Sequence, residues 1–147
     1  MQFVLSAALI LIYTVIGVTD FKRHIIPNSL LICLIFIAAV RILVQKERCA
    51  LLVKGIVCAV CMIFICIVVH GFCRLLKKPE VFGAGDYKYL IALGYCYGVD
   101  GIVWVCAFAL AAVLAVYTVS LILRKSLGKI AAAPYFSLGA VIFEIII

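Results

Sequence analysis

Six apolar runs separated by short polar breaks set the plan of this chain. They cover residues 2–19, 29–45, 50–73, 86–99, 101–123 and 131–147. A helix needs about 20 apolar residues to cross a bilayer, and most of the runs come near that length. None alternates apolar and polar positions as an outer-membrane barrel strand does. The pattern predicts an all-α, polytopic membrane protein with about six transmembrane helices, folded as a single domain over residues 1–147. The fourth run is the short one. Its fourteen residues, at about 1.5 Å each, reach about 21 Å against a hydrocarbon core of roughly 30 Å. It either begins earlier, near Val81, or lies partly inside the bundle. No internal repeat or low-complexity linker is visible.

Composition strengthens this reading. Hydrophobic residues make up 69% of the chain, against about 45–50% in ordinary soluble domains. With a mean hydropathy of +1.40, a water-soluble fold could not hide the apolar surface. The first run, Met1 to Thr19, lacks the basic start of a signal peptide, and no small-residue cleavage pattern precedes Asp20. It reads as a retained helix. The formal charge is +7, but the basic residues flank the runs in short clusters. That is a topology signal, not a nucleic-acid surface. Of eight cysteines, most lie inside apolar runs and are expected to pack as small apolar side chains. Cys58 and Cys61 have Cys-x-x-Cys spacing, but no second pair completes a zinc site, so no metal is expected. Cys49 falls in a polar loop.

Orientation follows from the Lys and Arg positions. The breaks after runs one, three and five hold eight (Lys22, Arg23, Arg74, Lys77, Lys78, Arg124, Lys125, Lys129), and the loop regions after runs two and four hold four (Arg41, Lys46, Arg48, Lys54), all at the first of them and counting the flanking run ends. The excess puts the odd breaks in the cytoplasm and both termini outside. Run one then ends at Asp20 on the cytoplasmic side, and run four begins there at Asp86. The alternating topology therefore brings two aspartates, far apart in sequence, to one membrane face.

Two carboxylates at one apolar border suggest chemistry. Carboxylates near lipid are expensive and mark functional sites. Held close together they cannot both ionise cheaply, so the pair shares a proton and titrates as a unit. The ionised member can take a proton from an attacking water while the protonated member polarises a carbonyl. This is aspartic-protease chemistry, with no metal and no cofactor. Gly83 and Gly85, beside Asp86, would permit unusual backbone angles and close approach of a substrate strand. A structural reading fits the same pattern: Asp86 as a helix cap after a glycine-rich turn and Asp20 as a border charge.

The surrounding residues separate these readings. Asp20-Phe21-Lys22-Arg23-His24-Ile25-Ile26-Pro27-Asn28 resembles the first aspartate motif of the prepilin peptidases: Asp, basic residues, then Ile-Pro-Asn. Gly83-Ala84-Gly85-Asp86-Tyr87-Lys88 resembles their second motif, Gly-x-Gly-Asp-x-Lys. Ala133-Pro134-Tyr135-Phe136-Ser137-Leu138-Gly139-Ala140 is similar to their Pro- and Gly-containing last helix. The resemblance spans essentially the whole chain. It implies a membrane aspartic endopeptidase of the type IV prepilin peptidase family, with Asp20 and Asp86 as the catalytic pair. It further implies an enzyme of the inner (cytoplasmic) membrane. Its activity would be to remove the short basic leader from prepilins and pseudopilins at the cytoplasmic face, after a glycine. The implied partners are those leader peptides and the lipid bilayer, with no nucleic acid. The long bifunctional members carry an N-terminal insertion with paired Cys-x-x-Cys motifs that has no counterpart here, so methyltransferase activity is not expected. The chain resembles the short form of tight-adherence (Flp-type) pilus systems, with archaeal preflagellin peptidases as the alternative.

Other residues take lesser roles in this reading. Pro27 and Asn28 start run two, and Asn28 could hydrogen-bond near the site. Lys88 lies two residues beyond Asp86, about 200° round a helix, and so is expected to face away and snorkel. Glu80 is a cytoplasmic loop charge that could meet a basic leader. Asp100 reads as a turn residue in Gly98-Val99-Asp100-Gly101, and Glu144 as an interfacial acid near the outer surface. A presenilin-like intramembrane protease would pair Gly-x-Gly-Asp with a Tyr-Asp motif in the preceding helix, which is not seen here. A small ion-relay transporter would place its carboxylates near the midplane.

Overall fold

The computed structural model describes residues 2–75, 83–122 and 132–146, and these are helical with no strand among them. Five helices follow one another: α1 (Gln2–Arg23), α2 (Asn28–Val44), α3 (Arg48–Leu75), α4 (Ala84–Ile122) and α5 (Ala133–Ile146). In lipid a helix satisfies its backbone internally, which is why continuous apolar runs become helices. By length and composition α1, α3 and α4 can each cross a bilayer, while α2 and α5 are shorter apolar helices.

The helix ends follow local chemistry. α1 continues four residues past its apolar run, because Asp20 to Arg23 are polar but not helix-breaking. It stops at His24, whose φ of 51° is left-handed and whose N–H donates to the Asp20 carbonyl at 2.8 Å. That is the single-bond stop seen when a left-handed residue follows a helix. Pro27 sits one position before α2 rather than in its first turn. Its carbonyl accepts the N–H groups of Leu30 (3.1 Å) and Leu31 (3.5 Å).

Runs four and five differ most from expectation. They form one element, α4, with a single non-helical residue, Gly98 (φ 64°, ψ −171°). Only a glycine adopts that φ without strain. The turn expected over four residues is thus compressed into one, and Asp100 lies in the helix that follows. The packing of α5 shows what the break does. Ser137 meets Tyr89 (2.8 Å) and Ala140 meets Tyr97 (3.5 Å) on the first arm. Phe143 lies against Gly101, and Gly139 against Val105 and Ala109, on the second. α5 therefore runs parallel to the first arm and antiparallel to the second, so the chain reverses at Gly98.

Small residues let these helices approach closely, as in membrane bundles generally. A Cβ on Gly55 of α3 would lie 2.6 Å from the Tyr95 carbonyl oxygen, and one on Gly17 of α1 would lie 3.2 Å from the Ser137 Cβ. Gly139 sits directly on the Val105 carbonyl. The core between the helices holds Leu9, Tyr13, Ile16, Leu34, Tyr89, Leu93 and Val105, all fully buried. The outward faces carry large exposed apolar side chains, among them Phe3, Phe36, Phe64 and Trp104. A belt of that size is a lipid-facing surface, not a water-facing one.

Glu144 is not an interfacial acid. Its side chain is only 2% exposed and forms an ion pair with Arg41 of α2, tying α2 to α5. Of the cysteines, Cys58 and Cys73 are buried while Cys33, Cys49 and Cys61 are exposed, and all eight are free.

Candidate active site

One end of the bundle gathers the end of α1, the start of α2, the start of α4 and the start of α5. A cavity of about 260 Å³ opens there, lined by Asp20 and His24 from α1 and its stop, Ile25, Ile26 and Asn28 leading into α2, and Gly83, Gly85, Asp86 and Lys88 from α4. Both aspartates thus face one space, near enough for the charge of Asp86 to act on Asp20.

Their settings differ. Asp20 is only 5% exposed, and its Oδ2 is buried with no hydrogen-bond partner among the described residues. Asp86 is half-buried and well supplied with donors. Gly83 caps α4: its carbonyl accepts the N–H groups of Asp86 (3.0 Å) and Tyr87 (3.3 Å). Its own N–H donates to Asp86 Oδ2 at 3.1 Å. Asp86 is therefore not the cap but the third helical residue, reaching back to the cap as acidic residues at that position do. The Ala133 N–H, at the start of α5, also faces the Asp86 carboxylate.

The remaining candidates distribute as follows. A Cβ on Gly85 would sit at ordinary contact distance, 3.6 Å, from Ile26. The segment before α2 thus packs on the glycine turn. Asn28 lines the cavity, and its Oδ1 accepts from Lys88 Nζ at 3.4 Å. Lys88 therefore does not face away: helical angle alone ignored the reach of its four-carbon stem. Pro27 is not among the cavity-lining residues and acts as the start of α2. Glu80 lies outside the described residues.

His24, within the first aspartate motif and expected in a loop near the site, ends α1 and lines the cavity. One participant was not singled out from the sequence. Ser137 hydrogen-bonds Tyr89 in the core and abuts Gly17, which holds the start of α5 beside α1 and α4. A hydroxyl inside an otherwise apolar helix was the available signal.

Fold and site together define a helical membrane protein with a carboxylate-lined cavity at one end of the bundle. A profile of the type IV leader peptidase family matches residues 7–147, nearly the whole chain, and the chain belongs to that family of peptidases. No curated protein and no solved structure matches it.

Proposed function

We propose that the chain is an aspartic endopeptidase of the cell membrane. In this reading it removes the short basic leader of type IV prepilins and pseudopilins of the Flp class at the cytoplasmic face. The observation that carries this is the shared cavity of Asp20 and Asp86, in a chain of the type IV leader peptidase family. The family points to prepilin substrates in general. The Flp class rests on the Ile26-Pro27-Asn28 motif, and the cytoplasmic side on the distribution of Lys and Arg.

The carboxylates hold one proton between them and a water against the scissile carbonyl. The ionised carboxylate takes a proton from that water as its oxygen bonds to the carbonyl carbon. The protonated carboxyl gives its proton to the carbonyl oxygen. Collapse of the resulting diol breaks the C–N bond, and the leaving amine takes up the proton from the water. Gly83 and Gly85 leave room beside Asp86 for the substrate backbone, and Lys88 and Asn28 shape the cavity wall. An ion-relay reading is disfavoured, because both aspartates lie at helix ends and not in mid-bundle.

Co-expression with an Flp-type prepilin tests the proposal. Leader removal is expected with the wild type, and its loss with Asp20→Asn and with Asp86→Asn. Normal cleavage by either single variant would sink the carboxylate-pair mechanism.

A further inference from the structure

We infer that within this pair the negative charge resides on Asp86 and the proton on Asp20. The inference rests on the reading of the two as a catalytic pair and assigns each its part. Asp86 is held by the ends of two helices. Its partial burial disfavours the charge, but it occupies the first turn of α4, accepts the Gly83 N–H at 3.1 Å and faces the Ala133 N–H where α5 begins, and both donors act against that burial. Backbone N–H groups only donate, and an ionised carboxylate only accepts. Charge-assisted bonds of this kind are roughly twice as strong as neutral ones. Helix N-termini add a favourable field for an anion.

Asp20 has the opposite surroundings. It lies in the last turn of α1, where the helix field disfavours negative charge. It is 5% exposed, and Oδ2 has no donor among the described residues. An anion there would have little water around it and no donor on Oδ2. The charge on Asp86, across the cavity, disfavours it further. His24 acts the other way, since its imidazole faces Asp20, but His24 is solvent-exposed and its field is screened. Lys88, also exposed, has its Nζ at Asn28. Lys22 and Arg23 are exposed as well.

The roles follow. Asp86 takes the proton of the attacking water, and Asp20 protonates the carbonyl oxygen. In the second half Asp86 protonates the departing amine nitrogen, the diol returns a proton to Asp20, and the pair is restored.

Infrared spectroscopy of protein labelled with ¹³C in its aspartate carboxyls reads this directly. The chain holds only three aspartates, Asp20, Asp86 and Asp100, and Asp100→Asn, at a side chain that is 88% exposed, identifies any band that comes from the third. In lipid vesicles at neutral pH the wild type is expected to show one protonated-carboxyl band. Asp86→Asn should keep it and Asp20→Asn should lose it. No band in the wild type, a band kept in Asp20→Asn, or a band lost in both variants would each overturn the assignment. If Asp86→Asn does not fold, Gly83→Pro serves instead. It removes one donor to Asp86 at a cap position, as Pro27 already caps α2. The protonated band should then stay in place, and its displacement would move the proton to Asp86. The readout does not use cleavage. Expected bands in a chain that cuts no prepilin would sink the peptidase reading and leave the assignment standing.

Discussion

The Arg41–Glu144 pair makes a quantitative prediction about the fold. Glu144 is 2% and Arg41 24% exposed at the side chain, so replacing Glu144 by Leu strands a guanidinium that has little water to turn to. Removing one partner of a buried pair costs about 3–5 kcal/mol. The partial exposure of Arg41 puts the expected value near the lower end, about 3 kcal/mol, a factor of roughly 150 in the folding equilibrium. Replacing both partners by apolar residues of similar volume is commonly neutral or stabilising. Arg41→Leu/Glu144→Leu is therefore expected to regain most of the loss. Reversible unfolding in mixed micelles, titrated with a denaturing detergent, measures all three variants against the wild type. The reasoning is refuted if Glu144→Leu is as stable as the wild type, or if the double variant is no more stable than the single. The pair lies near Gly98, at the end of the bundle opposite Asp20 and Asp86. Folded fractions of either variant should thus cleave substrate as the wild type does.

Gly139→Ala should lower thermal stability by about 1–3 kcal/mol, the range for overpacking a filled site, because its Cβ would strike the Val105 carbonyl. Gly71→Ala should be neutral or stabilising by up to about 1 kcal/mol, since nothing lies within 4 Å of a Cβ there; equal melting points for the two would contradict the packing. Ser137→Ala leaves the buried Tyr89 hydroxyl without its 2.8 Å partner and should cost about 1–3 kcal/mol, recovered in part by adding Tyr89→Phe in a thermal melt. In a variant whose only cysteine is the exposed Cys49, a membrane-impermeant maleimide should label intact cells. Labelling only after lysis would reverse the proposed orientation.

The hydropathy pattern located the helices well where the membrane dictates them. Run two, 29–45, became Asn28–Val44, and run six, 131–147, became Ala133–Ile146. It misjudged the end of α1, because loss of hydropathy marks where lipid ends and not where a helix ends. It overestimated the turn at Gly98, because one left-handed glycine reverses the chain without any polar linker. Charge counting brought Asp20 and Asp86 to one end, where the structure gathers them around one cavity. What stayed hidden depends on rotation about the helix axes. Helices apolar on every side carry no stripe that fixes which face meets which neighbour. The contacts of Glu144 with Arg41 and of Ala133 with Asp86 therefore could not be read ahead. Glu144 was placed by its distance from the chain end, a measure that ignores how tightly α5 is enclosed.

α1 packs chiefly on α5 and more lightly on α2, so its main partner is a helix made much later along the chain. Until residue 133 is in place, Asp86 lacks one of its backbone donors. The surroundings of Asp86 are then complete only once α5 has docked. A chain inserted only through α4 carries both aspartates without the setting that α5 gives the second of them.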